Sequence, residues 1–405
     1  MPKNHAGHTS LILLLGLLTA FGPMSIDMYL PAFPAIAREF GVSISTVQFT
    51  LASYNIGIAL GQLLYGPLAD QLGRKRNLLA GMLLYGLAAM GCAFATSVDN
   101  LIAARFLQAV GGCAGMVLAR AIVRDRFDGN ESAKVFSTLM LIMGVAPILA
   151  PTVGGLIIAH FDWRYIFGLL ALLAAFTLVC IVFVLPETLP AERRNPVAVR
   201  NSFRTYGALL RDREFVGYAL TAGMVQGGMF TYITGSSFVF MKLFGLSEQQ
   251  FGILFGLNAA GIITASQVNN LLLKRFTFQQ ILRAVTVFYF GAALVLLLMA
   301  STGWLGMYGI AIPLFCTVGC VGLAIPNATA GAMMHHGKQA GSASALMGTL
   351  MYSCGALAAI SVSAFANNTA LPMAATITAC AVASVLIFRV MVGKTKVEVP
   401  EAVAK

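Results

Sequence analysis

Two side chains in this sequence stand where an ionisable group is costly. Asp27 lies in MSIDMYLPAFP (24–34) and Arg105 opens RFLQAVGGCA (105–114), each inside a long apolar run. A charge in hydrocarbon costs at least about 2.5 kcal/mol even on lenient scales, so each is a functional hypothesis by default. Of 15 acidic residues only Asp27 is placed clearly in such a run, and of 26 basic residues only Arg105. Asp27 is about six residues from the outer end of the first run and Arg105 about five from the outer start of the fourth. At 1.5 Å per residue both lie roughly 8 Å deep, and they can meet if their helices adjoin. Desolvation favours the neutral form of a buried carboxyl, and a nearby guanidinium favours the ionised one. A carboxyl whose surroundings alternate between wet and dry, or paired and unpaired, loads a proton on one side and loses it on the other. That is the chemistry expected of Asp27. The structural alternative is a permanent Asp27–Arg105 bridge, or an Asp27 cap on an unwound helix near Pro31.

A second cluster, GPLADQLGRKR (66–76), follows the second apolar run. Gly66 and Gly73 permit tight turning, Asp70 suits a helix N-terminus, and the triplet beginning at Arg74 is basic. An ordinary basic loop explains the same residues equally well. Sparse polar or aromatic groups in the other runs are candidate cavity residues: Tyr29, Tyr54, Asn55, Gln62, Gln226, Phe230, Tyr232, Asn258, Gln267 and Asn327. Each could instead join or pack helices. An apolar wall with few directional polar groups suits varied amphipathic ligands better than a sugar, which needs many hydrogen bonds.

The elements that must position these groups are membrane spans. The chain has 405 residues, 58% hydrophobic and 10% charged, against about 25% charged in a soluble domain. Apolar segments fall near 11–33, 46–68, 77–97, 100–122, 135–159 and 165–185, and again near 215–240, 250–273, 281–300, 304–328, 343–366 and 371–392. Twelve segments of roughly 20 residues predict an all-α membrane protein of twelve transmembrane helices, since barrel strands would alternate in polarity and these runs do not. Residues 186–214, PETLPAERRNPVAVRNSFRTYGALLRDRE, form a polar linker between two six-helix halves, 1–185 and 215–405. Similarity between the halves is too faint to establish a repeat. Many of the 41 glycines lie inside the spans, and prolines at 23, 31, 34, 147, 151, 313 and 326 add bends or ends, as expected of closely bundled helices.

The net charge of +11 reports topology and not a nucleic-acid partner. With the N-terminus inside, cytoplasmic segments collect 22 Lys and Arg, while external ones keep Arg38, Arg164 and Lys242. The positive-inside rule then puts both chain ends in the cytoplasm. The first run continues through Met28 and Tyr29 without a small-residue cleavage site, so it reads as a retained span. The seven cysteines lie in apolar segments with no CxxC pair, and Cys316 and Cys320 read as packing residues. No disulfide framework, metal site or cofactor is expected. HExxH and phosphate-loop motifs are lacking, and the His335–His336 pair falls in a loop, so an enzyme is not expected either.

These motifs together resemble the major facilitator superfamily. GPLADQLGRKR is similar to its loop signature, with Gln71 for the usual basic residue; RFLQAVGGCA resembles the fourth-span RxxQG signature, with Ala109 for Gly. APTVGG (150–155) resembles the fifth-span antiporter motif, with Ala150 for Gly, and MSIDMYLPAFP, VRDR (123–126) and WRYIF (163–167) look closest to the Bcr/CflA branch of twelve-span drug:proton antiporters. The resemblance implies two bundles rocking about a cavity lined by the first, fourth, seventh and tenth spans, which favours Gln226 and Phe230 as ligand contacts. It implies that Asp70 and Arg74 latch the cytoplasmic side, that Pro151, Gly154 and Gly155 shape the antiporter helix, and that Arg105 influences protonation at Asp27. Some drug antiporters carry a second first-span acid two turns earlier; Thr19 stands there, which leaves the proton stoichiometry open. The expected function is proton-coupled efflux of small amphipathic drugs by a monomer in a bacterial inner membrane, surrounded by lipid. The alternative is export of a metabolite such as an amino acid, small peptide or sugar.

Overall fold

The computed structural model describes residues 5–127, 129–194, 197–336 and 339–392. The placement expected for the chain ends therefore concerns residues 1–4 and 393–405, which lie outside the described residues. Among the described residues there is no strand. The Leu-rich first run forms α1 (His5–Asp27), which stops where Pro31 and Pro34 deny the backbone further helical hydrogen bonds. A 3₁₀ turn (Leu30–Ala32) hands the chain to the short α2 (Phe33–Phe40), closed by Gly41 at φ +63°. Then follow α3 (Ile44–Leu72), α4 (Arg74–Ala93), α5 (Val98–Arg126), α6 (Gly129–His160) and α7 (Arg164–Val184). The linker carries a 3₁₀ turn and α8 (Ala198–Leu209). The second half comprises α9 (Arg213–Ser236), α10 (Glu248–Leu272), α11 (Phe278–Thr302), α12 (Gly306–Met333), α13 (Ala340–Ala364) and α14 (Leu371–Ile387).

Local sequence sets several of these starts. Ser43, Ser97 and Asp212 cap α3, α5 and α9, and reciprocal capping pairs, Ser247 with Gln250 and Thr277 with Gln280, open α10 and α11. Nine stretches of the described residues are long and apolar enough to cross a membrane by themselves. The shortfall from twelve has a physical cause in α3 and α9. They bury Gln48, Thr50 and Asn55, and Thr221, Gln226, Thr231 and Thr234, against other helices, so lipid does not demand their apolarity. In α6, several side chains lie outside the description.

The helices form two six-helix bundles with matching internal contacts. In the first, α3 and α4 pack on α5, α4 on α7, and α1 on α5, α6 and α7. In the second, α10 and α11 pack on α12, α11 on α14, and α9 on α12, α13 and α14. Each of these contacts in the first bundle has a counterpart six spans later, so the repeat that residue identities hide is explicit in packing. Two pairings, α3 with α13 and α6 with α10, join the bundles along a seam, and α8 lies against α3 and α13 at the end that carries the basic loops.

Candidate functional site

The break in α1 places Asp27 at the seam. Asp27 is 4% exposed and lines a cavity of about 200 Å³ with Met143 and Pro147 from α6, Gln226, Met229 and Tyr232 from α9, Phe255 from α10 and Val318 from α12. The rings of Tyr232 and Phe255 stack at 5.3 Å. Among the described residues the Asp27 carboxylate forms no ion pair. Beneath this break α6 presses directly on α1: a Cβ at Gly154 would fall on the Met28 carbonyl oxygen, so only glycine fits. Gly155, one residue on, faces Glu248 of α10, and Pro151 lies buried one turn before it.

Arg105 belongs to a different compartment, inside the first bundle. Its wholly buried guanidinium donates to Gln108 Oε1 at 2.7 Å and to the Ser25 carbonyl at 2.8 Å. The rings of Tyr54, Tyr29 and Phe167 surround it at 4.3, 4.8 and 5.6 Å. Such a desolvated aromatic cage stabilises a cation by about 2 kcal/mol per good contact and takes the place of a carboxylate partner. The structure therefore does not join Asp27 to Arg105. Ser25 turns its hydroxyl to Tyr85 at 2.6 Å, within the bundle. Two residues later at 3.6 residues per turn, Asp27 points about 200° away, toward the seam.

The remaining sequence candidates divide between these places. Gln226 shares the Asp27 cavity. Tyr29 and Tyr54 serve the arginine cage, with the Tyr29 hydroxyl on Thr50 at 3.1 Å. Phe230 packs on Tyr352 of α13. Asn258 donates to the Leu254 carbonyl, and Asn327 ties α12 to α10 through Asn269 at 2.6 Å. Both side-chain polar atoms of Asn55 are buried without a partner. The Thr19 hydroxyl donates to the Gly16 carbonyl. Sequence reasoning missed Met143, Met229 and Phe255, apolar or aromatic residues with no distinguishing pattern in apolar runs; Pro147, paired with Pro151 in one span, was the available signal.

At the basic end, Arg74 binds Asp70 at 2.7 Å and Asp125 of the VRDR segment at 3.1 Å, while its backbone N–H donates to Glu187 of the linker at 2.9 Å. Gly73 adopts φ +99°, and a Cβ there would lie 2.5 Å from the Glu187 carboxylate, so this turn accepts only glycine. A Cβ at Gly66 would meet open space. Tyr206 of α8 donates to the Leu63 carbonyl at 3.2 Å; burial, with the nearby Asp70 charge, pushes its phenol up to about 12, so it stays a donor. At the opposite end, Gln48 of α3 donates to the Thr234 carbonyl at 2.9 Å and accepts from Ser363 of α13 at 3.3 Å, closing the seam. Nearby, Trp163 and Arg164 both donate to Glu39, fixing α2 to α7.

Two six-helix bundles of long apolar helices, closed on each other around a buried acid, define a polytopic membrane protein. The profile of the Major Facilitator Superfamily matches residues 15–359, and the chain belongs to that family. It is 40% identical over 392 residues to YdgK, an uncharacterised MFS-type transporter of Bacillus subtilis, covering 96% of this chain and 97% of that one. It is 35% identical to the bicyclomycin resistance protein homolog of Haemophilus influenzae, covering 93% and 94% of the two chains. The multidrug resistance protein MdtL of Shigella dysenteriae is 29% identical, covering 80% of this chain and 81% of that one. Among solved structures, the xylose transporter XylE from E. coli, in a partially occluded inward open conformation, matches with a TM-score of 0.75 at 13% identity, covering 97% and 99% of the chains. At that identity the likeness concerns the fold alone.

Proposed function

We propose that the chain exports small amphipathic drugs or antibiotics in exchange for protons, by alternating access of one central site to the two sides of a bacterial inner membrane. It acts as a monomer, with both ends in the cytoplasm and the basic end facing inward. The observation that carries this reading is the Asp27 carboxylate, without an ion pair among the described residues, on the wall of a mostly apolar cavity at the seam. When the cavity opens outward, Asp27 takes a proton; the neutral acid then tolerates enclosure, and opening inward releases the proton as an amphipathic molecule enters. Stacked Tyr232 and Phe255, with Met143 and Met229, offer adaptable apolar contact without fixed hydrogen-bond geometry. The names of the Haemophilus and Shigella relatives favour a drug over a metabolite.

The test is transport in proteoliposomes with an imposed proton gradient. Wild type should move substrate uphill and dissipate the gradient in proportion, whereas Asp27→Asn should retain only downhill exchange. Undiminished uphill transport by the Asn variant refutes the proposal.

A further inference from the structure

At the basic end, where α3, α5, α8 and α13 meet, a vestibule of about 430 Å³ lies between the bundles. Its charged lining is Asp70, Arg74, Arg120 and Arg124. Arg74 pairs with both Asp70 and Asp125, a cluster with one negative charge in excess, against the two positive charges of Arg120 and Arg124. Arg120 and Arg124 are exposed, and among the described residues neither has a hydrogen bond or ion pair. Four residues apart on α5, they share one helix face. The opposite wall is the start of α13, whose first residues, Ala340 to Ser342, line the same space and carry no side-chain cap. Unpaired amide N–H groups at a helix start add partial positive charge. The two free cations therefore stand at the mouth of the basic end, facing the start of α13.

Building on the transporter reading above, we propose that the vestibule is a charge filter: Arg120 and Arg124 bind an anionic group on the transported molecule, such as a carboxylate, phosphonate or ionised sulfonamide, while its apolar body lies along Val117, Leu118 and Ala345. Cationic amphiphiles are disfavoured at the same place. A cleft lined by charge of one sign raises the local concentration of the opposite sign by about tenfold or more, an advantage that salt weakens.

The experiment compares an anionic, a neutral and a cationic member of one fluorescent dye series in proteoliposomes of neutral phosphatidylcholine. In wild type the anionic dye should have the lowest KM. In Arg120→Gln/Arg124→Gln the ratio of anionic to neutral KM should rise about tenfold with kcat little changed, and Arg120→Lys/Arg124→Lys should restore it. A wild-type preference for the cationic dye, or an unchanged ratio in the Gln variant, overturns the proposal. So does an effect that appears only when anionic phosphatidylglycerol is present, since the vestibule would then hold a lipid headgroup. Binding of the same dyes to purified protein in detergent is measured in parallel. If wild type moves no dye at all, the transport reading fails, while charge-selective binding lost in the Gln variant still supports the filter.

Discussion

Replacing Gln48 by Leu tests whether the two bundles are held shut at the end opposite the basic loops by a few specific bonds. Gln48 is 3% exposed and makes two hydrogen bonds across the seam, to the Thr234 carbonyl on α9 and from the Ser363 hydroxyl on α13. Each net bond contributes about 1 kcal/mol, so their loss removes about 2 kcal/mol from the closed arrangement. In an arrangement open at that end Gln48 is hydrated, and Leu there gains nothing comparable. The closed-to-open ratio should thus fall about 30-fold, since every 1.4 kcal/mol is tenfold. Electron–electron resonance between spin labels at Ser45 and Ala366, which flank the small opening beside Gln48, reads the separation of the bundles directly. The long-distance population should grow from a minor to a major component in Gln48→Leu. A distribution identical to wild type, in protein that still melts cooperatively, would show that apolar contact along α3 and α13 alone closes this end.

Two further outcomes follow from the packing. Gly154→Ala forces a methyl onto the Met28 carbonyl and should cost about 1–3 kcal/mol, read as a lower melting temperature in detergent together with reduced proton-coupled transport; a variant with wild-type values would mean that α1 and α6 part freely at this point. Arg105→Lys keeps the charge but loses the planar face held by Tyr29 and Tyr54 and one of the two hydrogen bonds, so thermal stability should drop by about 3 kcal/mol; equal stability would show that a point charge satisfies the cage.

The overall architecture was readable because hydrocarbon imposes a strict rule on composition, and the same rule exposed Asp27 and Arg105 as exceptions. Their similar depth followed from residue counting. Their separation did not, since it depends on which neighbour each helix face meets: Ser25 turns inward to Tyr85, and Asp27 turns to the seam. Phe255 carried no signal, because an aromatic ring in an apolar span looks the same whether it meets a cavity or lipid. Glu187 was equally opaque: its role as acceptor for the Arg74 N–H depends on the linker folding back more than 100 residues later. The internal repeat escaped for a related reason. Matching contacts between helices need complementary small and large surfaces, and many different residues provide them.

The bare contact between Gly154 and the Met28 carbonyl leaves no side chain to act as a bearing between α6 and the interrupted first helix. A tilt of α6 would therefore act directly on the backbone beside Asp27 and carry its carboxylate along. On the exchange mechanism proposed above, the acid would be a passenger whose exposure is timed by the sweep of its neighbour, and any lubricating substitution at that contact would let the passenger slip out of step.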